Sequence, residues 1–422
     1  MATEYPWPTR PLGNAGTWLS GGTPSKDNPD FWSGTLPWVS PKDMKAARLG
    51  DAIDHVSNAA VGNGTRLVPS DTLLMVVRGM ILAHTFPVAL TTSEVTFNQD
   101  IKALQAAREF LPDFLLYWLQ SRAAEILKLT DVANHGTRRL PTERLFALET
   151  PTPTLSEQRK IAAILSAVDE VIEKTEAVIE SLQALKKAMM QELLTRGLPG
   201  RHTRFKQTEI GEVPEGWEVV PFGAVLKRGP DNGLYRPKED YGTGTPIVRI
   251  DSFASGDTLP SGGYQRVRLC TDDVLRFRLS ESEIVINRVN SLSHLAKAAY
   301  VGLLAEPTVF ESNMMRVGVD SERVLPRFAF LWIASEMART FFLARAKQAV
   351  AQASVNQQDV KTMPLPLPPF SEQETIVSTL DSLLERIETE SVVLNNAQST
   401  KQALMSVLLT GELRVTPDKD AA

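Results

Sequence analysis

The chain has 422 residues, 43% hydrophobic and 23% charged, with a formal net charge of −5; it is long enough for two domains and too acidic overall for general nucleic-acid coating, though a local basic cleft stays open. A lone cysteine, Cys270, excludes an internal disulfide and a cysteine-cluster metal site, and the five histidines (His55, His84, His135, His202, His294) show no ligand spacing. Neither an apolar run of about 18 residues nor a signal peptide is visible, so a cytoplasmic protein is expected.

Read in order, the chain states most of its landmarks twice. Trp7-Pro-Thr-Arg-Pro-Leu-Gly13 matches Trp217-Glu-Val-Val-Pro-Phe-Gly223, and Leu36-Pro-Trp-Val39 matches Thr245-Pro-Ile-Val248. The β-rich runs Leu73–Val77 and Glu283–Ile286, bounded by turn residues, read as matched strands. Phe97–Ile101 answers Phe310–Met314, and amphipathic helices are expected over Pro112–Leu129 and Pro326–Ala346. An irregular loop follows each, 134–140 and 351–358. Proline then bars helix upstream of two long runs opening at Ser156-Glu-Gln and, 215 residues on, at Ser371-Glu-Gln. Ser156 and Ser371 read as N-caps, and Ser371-x-x-Glu374 has capping-box spacing that Ser156-x-x-Arg159 lacks. Between the halves, 196–206 is basic and punctuated by Gly and Pro, as an exposed linker would be. The tail after Leu413 reads as frayed.

The two long runs carry one heptad pattern. Ile161, Leu165, Val168, Ile172, Ile179, Leu182, Met189 and Leu193 form the first seam; Ile376, Leu380, Leu383, Ile387, Leu394, Ala397, Leu404 and Leu408 form the second. Both seams break at matched polar positions, Thr175 with Glu390 and Lys186 with Lys401. A seam helix of about 38 residues is roughly 57 Å long at 1.5 Å per residue, and neither can bury such a stripe alone. Each copy is the economical partner of the other.

Between the repeated landmarks the residues differ: Val77-Arg-Gly-Met-Ile-Leu-Ala-His84 stands where the second half has Asn287-Arg-Val-Asn-Ser-Leu-Ser-His294. One frame with two sets of variable polar loops suggests two readers of different targets, since Arg, Asn, Gln, Ser and His can read base edges.

From Trp7 to Leu413 the chain resembles the specificity (S) subunit of type I restriction-modification systems. The resemblance is carried by the doubled Ser-Glu-Gln openings and paired Leu-Leu-Thr endings, by Gly21-Gly-Thr-Pro-Ser-Lys with Phe31-Trp-Ser-Gly-Thr-Leu-Pro-Trp38, and by Ile210-Gly-Glu-Val-Pro-Glu-Gly-Trp217 and Val309–Arg316. It implies an α+β fold: a tandem pseudo-symmetric repeat of two mixed α/β target recognition domains separated by two long helices forming an antiparallel coiled coil. The expected boundaries are domain 1 over 1–152, the central helix over 153–200, a linker over 201–216, domain 2 over 217–366, the distal helix over 367–413 and a tail over 414–422. It also implies a bipartite double-stranded DNA target, two modification (methylase) subunits that bind S-adenosylmethionine, and restriction subunits that use ATP and Mg. The S subunit itself does no chemistry and holds no cofactor.

Within this frame, Arg78 and Arg288 end matched strands and are DNA-contact candidates, or else structural ion pairs. Asn287, Asn290, Ser291 and His294 fall in the adjoining stretch, where loop hydrogen bonding is the alternative. Thr137, Arg138 and Arg139 correspond to the loop holding Ser354 and Asn356; Lys42, Arg66, Arg236 and Arg249 are phosphate candidates. His84 reads as packed or loop-bonded. No phosphate-binding loop is present, Leu367-Pro-Pro-Phe370 lacks the polar first residue of an amino-methyltransferase motif, and Asp169, Glu170, Glu173 and Lys174 read as a solvated helix face. The rival function is a duplicated coiled-coil adaptor without DNA readout, and a methyltransferase with unrecognised motifs is a third.

Overall fold

A computed structural model describes residues 6–132, 136–253, 258–348 and 352–416. The chain divides into two compact units, residues 1–176 with 392–422 and residues 177–391. Each long helix therefore gives one half of its length to each unit.

In the first unit a five-stranded sheet runs in the order Gly16–Ser20, Ile101–Ala106, Thr72–Val76, Val88–Thr91, Arg48–Leu49, antiparallel except at the last pair. Its central strand Thr72–Val76 is wholly buried, as a continuous apolar run covered on both faces must be. A second sheet orders Asp54–Val56, Leu36–Val39, Val95–Phe97 and Arg66–Val68. Helices α1 (Pro112–Ser121), α2 (Ala123–Lys128) and α3 (Thr142–Phe146) precede the long α4 (Leu155–Thr195).

The second unit repeats this. Leu226–Asn232, Met314–Val319, Ile284–Asn287 and Ala298–Tyr300 form one antiparallel sheet, and Gln265–Val267, Tyr241–Val248 and Val309–Phe310 the other. Among the described residues the first sheet has no counterpart of the fifth, edge strand and the second none of the fourth, while helix α5 (Thr271–Phe277) has no counterpart in the first unit. Then follow α6 (Pro326–Ile333), α7 (Glu336–Arg345), α8 (Gln357–Thr362) and the long α9 (Phe370–Leu408).

The single amphipathic helix expected in each half is broken at the same place. Arg122 leaves the helical region at φ −95°, ψ 3°. Ser335 turns fully extended and caps α7, its Oγ accepting from Ala338 N at 3.2 Å. Before the break, Phe114–Leu119 and Phe328–Ile333 are buried almost all round; after it the chain can turn polar residues outward.

The heptad seams are visible as burial. Every seam position of α4 and α9 is buried or half-buried, the polar breaks Thr175, Lys186, Glu390 and Lys401 included. In the first unit Ile161 and Leu165 share one core with Leu408 and Leu409, while Asp169 Oδ1 meets Lys401 Nζ at 2.6 Å. As α4 is followed forward there, its neighbours on α9 step backward. In the second unit Met190, Leu193 and Leu194 share a core with Ile376 and Leu380.

The Ser-Glu-Gln openings join each helix to its domain. Gln158 is fully buried; its Oε1 accepts from Leu111 N (2.7 Å) and its Nε2 donates to Glu109 O (2.8 Å) and Pro153 O (2.9 Å). Gln373 does the same with Leu325 N (2.8 Å) and Pro368 O (3.0 Å). Both tie the long helix to the residue before α1 or α6, satisfying helix-start donors that are otherwise orphaned. Glu157 accepts from Trp7 Nε1 (3.4 Å) and from Arg414 Nε (2.9 Å). Glu372 accepts from Trp217 Nε1 (3.2 Å), Leu198 N (3.2 Å) and His202 Nε2 (2.7 Å). Burial works against the charge on Glu157, but Arg414, Thr154 and Trp7 outweigh it and hold the carboxyl below its ordinary range.

Four expectations are corrected. The helices begin at Leu155 and Phe370, so the serines lie inside the first turn. Thr154 is the cap of α4, in a reciprocal box with Glu157: Glu157 N donates to Thr154 Oγ1 (3.3 Å) and Thr154 N to Glu157 Oε2 (3.0 Å). The Ser371–Glu374 box does not form; Pro369 stands at that cap, its carbonyl accepting from Glu372 N at 2.8 Å. The stretch read as a bare linker holds a hairpin, Phe205–Thr208 with Gly211–Pro214, and fully buried Val213. The tail is anchored at Arg414, which pairs with Glu157 and lies over the Trp7 ring.

Candidate nucleic-acid interface

In the first unit the strand Arg78–Gly79 pairs antiparallel with Arg138–Arg139, and this with Asp131–Val132. Three of the candidates, Arg78, Arg138 and Arg139, are thereby set on one small sheet, with half-buried Thr137 just before it. Residues 134 and 135 of the expected loop lie outside the described residues. Arg139 stands opposite Arg78. Arg138 donates to Thr130 Oγ1 at 3.2 Å, whereas Arg78 and Arg139 are exposed. Burial lifts Asp100 above its ordinary value and the charge of Arg78 opposes this. Beside the arginines Met80 and Val132 are 69% and 68% exposed.

The second unit builds the same small sheet from Val289–Asn290, Ala353–Ser354 and Lys347–Gln348. Residue 351 lies outside the described residues. Asn290 and Ser354 sit on this sheet, and Arg288 immediately precedes it. Arg288 reaches Ser312 O with one terminal nitrogen at 3.2 Å, and its Nε is buried without a partner among the described residues. Ser291, Ser293 and His294 bond to one another at 2.8–3.1 Å. His84, read as packed or loop-bonded, is exposed, with its backbone N–H bonded to Ile81 O at 3.0 Å.

Asn287 is a correction. It is 0% exposed at the end of its strand, with both side-chain polar atoms unpartnered among the described residues. The strand continues one residue further than the sequence suggests, which carries Asn287 into the core.

Arg288 and Asn356 converge on a cleft of about 400 Å³ with Asn232, Gln357, Gln358 and Lys361. A neighbouring cleft of about 950 Å³ holds Arg236 and Arg249 with Tyr235, Lys238, Gln265 and Arg266. The two adjoin through the Asn232–Arg236 segment and through Ser312. Tyr235 is 75% exposed. The arginines of the larger cleft are already balanced: Arg236 pairs with Asp273, Arg266 with Glu306, and Arg249 lies 3.7 Å from Glu311 and donates to Gln265 Oε1 at 3.0 Å. Burial raises Glu311 above the usual carboxylate range against the opposing pull of Ile250 N–H and Arg249. In the first unit Arg66 opens a strand of the corresponding sheet and Lys42 lies in the turn after another, both exposed. The sequence reading did not single out Asn232, Tyr235, Gln357, Gln358 or Lys361. Gln357 and Gln358 continue the loop that held Asn356, whereas only the fold brings Asn232 to them.

Two grooves also repeat. In the second unit one of about 580 Å³ is lined by Gln183, Lys186, Met190 and Gln191 of α4 with Ala334 and Ser335. In the first unit one of about 600 Å³ is lined by Gln398, Lys401, Met405 and Ser406 of α9 with Gln120 and Ser121. These are the same positions of the repeat. Among the described residues no group of three His, Cys, Asp or Glu side chains could hold a metal ion, and no helix is long and apolar enough to cross a membrane.

The same α/β frame is built twice with differing exposed polar faces, and similarity to known proteins gives its class. The family of the type I restriction modification DNA specificity domain matches residues 5–184 and again 214–397, so the chain belongs to that family. It is a specificity subunit of a type I restriction-modification system, the DNA-recognition and not the catalytic subunit; the adaptor alternative is not favoured. It is 34% identical over 181 residues to the EcoR124I/EcoR124II specificity subunit of Escherichia coli, covering 42% of this chain and 44% of that one, so it spans under half of that relative. It is 23% identical over 423 residues to the MjaIX specificity subunit of Methanocaldococcus jannaschii, covering 97% and 94%. The crystal structure of the S subunit from M. genitalium superposes with a TM-score of 0.60 at 14% identity over 97% of both chains. A chain from a structure addressing complex assembly and conformational transition of the type I system gives 0.55 at 16% identity, over 97% of this chain and 100% of that one.

Proposed function

We propose that each unit reads one half of a bipartite DNA site. The first would use the sheet of Arg78, Arg138 and Arg139 with Thr137, and the second Arg288, Asn290, Ser291, His294, Ser354 and Asn356. Lys42, Arg66, Arg236 and Arg249 would meet phosphate. The observation that carries this reading is the small three-stranded sheet built twice on one frame with different exposed side chains. Phosphate contacts position a protein and base contacts specify, and both kinds of side chain share these surfaces.

In the same reading α4 and α9 form an antiparallel coiled coil that acts as the spacer; opposed stepping in the first unit and shared cores in both support it. The repeated grooves suit a partner present in two copies, here two methylase subunits. These would carry S-adenosylmethionine, and restriction subunits would carry ATP and Mg, in the cytoplasm. Linking two heads raises effective concentration only where the half-sites have matching spacing.

Methylome sequencing tests the reading. Exchanging residues 1–152 for another reader should change one half-site and leave the other. Lengthening one long helix should shift the unread spacer. An exchange that alters both halves, or an unchanged spacer, refutes the modular account.

A further inference from the structure

Of the two adjoining clefts in the second unit, the smaller has an unusual lining. Its six residues are Asn232, Arg288, Asn356, Gln357, Gln358 and Lys361: four amides, a guanidinium and an ammonium, with no carboxylate. The nearest acid on this turn, Asp359, is turned back onto the backbone of Asn356 (Oδ2 to N, 2.8 Å), and Asn356 Oδ1 is consumed capping α8 by Gln358 N (2.7 Å) and Asp359 N (3.0 Å). That leaves the amides of Asn232, Gln357 and Gln358 without partners among the described residues. A planar amide offers one acceptor and one donor edge, which matches N6 and N7 of adenine. A guanidinium matches O6 and N7 of guanine, and the carboxylate that typically pairs with cytosine N4 is not in this lining.

We propose that this cleft sets the specificity of the second unit: Gln357 and Gln358 read an adenine, Arg288 reads a neighbouring guanine, and Lys361 holds the flanking phosphate. The assignment rests on the DNA-reading function proposed above. It also accounts for a difference between the halves, because the positions 215 residues earlier are Thr142 and Glu143 and offer no amide.

The test uses the assembled methyltransferase with wild-type chain, with Gln357→Ala/Gln358→Ala, with Gln358→Glu and with Arg288→Ala, each mapped by methylome sequencing. The double variant should lose roughly 5- to 150-fold of its discrimination at one A·T pair of the second half-site, with the first half-site and the spacer intact. Arg288→Ala should relax an adjacent G·C pair, and Gln358→Glu should move preference from adenine toward cytosine. Gln357 and Gln358 are exposed on the first turn of α8, so an unchanged first half-site also reports that the chain has folded. Retention of the wild-type motif by all the variants would overturn this assignment while leaving the DNA-reading role standing. Failure of the wild-type complex to methylate any defined motif would sink that role itself.

Discussion

At the start of α4, Glu157 takes hydrogen bonds from Trp7 and Arg414; at the start of α9, Glu372 takes them from Trp217, His202 and Leu198. Beside each, a buried glutamine closes the same bond to the residue before α1 or α6. Upstream of each glutamate, the reading faces share a backbone and little else. One offers Arg78, Met80, Arg139 and Val132, the other Arg288, Asn290, Ser354 and a cleft of amides. The difference separates two kinds of constraint. Buried polar groups must find a partner or cost about 1–3 kcal/mol each, so the junction tolerates few residues. An exposed face already has water as partner and is free to vary with its target.

The largest expected effect tests whether the junctions are as demanding as they look. Glu372→Ala leaves Trp217 Nε1, Leu198 N and His202 without their acceptor and should cost about 3–5 kcal/mol, measured by urea unfolding against the corresponding Glu157→Ala. A loss below 1 kcal/mol at either would break the parallel. Gln158→Ala and Gln373→Ala each abandon a partly buried backbone N–H and should cost about 1–3 kcal/mol. Equal losses would make the junctions energetic equivalents.

Glu157 predicts a pH signature. Its folded-state pKa is depressed, so its contribution is present above the ordinary glutamate value of about 4.3 and is lost as pH falls through the depressed value. Glu157→Gln should flatten that part of the acid limb in a stability–pH profile; an unchanged limb would assign it to other carboxylates. Lys401→Ala removes a partly exposed pair with Asp169, which also accepts from Tyr117 Oη at 2.8 Å, and should cost about 1 kcal/mol or less. Smallest in stability is Arg139→Ala, expected within about 0.5 kcal/mol of wild type. It should nonetheless weaken DNA binding by the assembled complex and lower its salt slope by about one; a slope that does not move would remove Arg139 from the interface.

Period and repetition made the scaffold legible. Seam positions from Ile161 to Leu193 and from Ile376 to Leu408 point inward because a seven-residue repeat is a local property of the chain. The matched strands around Leu73 and Ile284 were readable for the same reason. What escaped depended on long-range closure. Nothing local to Arg414 says that it will reach Glu157, and nothing around Asn232 places it against Gln357. Asn287 was misplaced by a strand one residue longer than its apolar pattern, and the paired helices α1–α2 and α6–α7 by breaks at Arg122 and Ser335 that a continuous amphipathic pattern hides.

The anchoring of Arg414 bears on the order of assembly. The unit that leaves the ribosome first is also the one that waits longest for its last pieces, because Leu408, Leu409 and Arg414 close the core around Ile161 and the acceptor at Glu157. The intervening unit, 177–391, carries all of its own parts in one uninterrupted stretch and can be complete while its elder neighbour is still open. Such a long-range closure is slow relative to local contacts, so nascent chains stalled before residue 392 should expose the apolar start of α4 to chaperones and proteases.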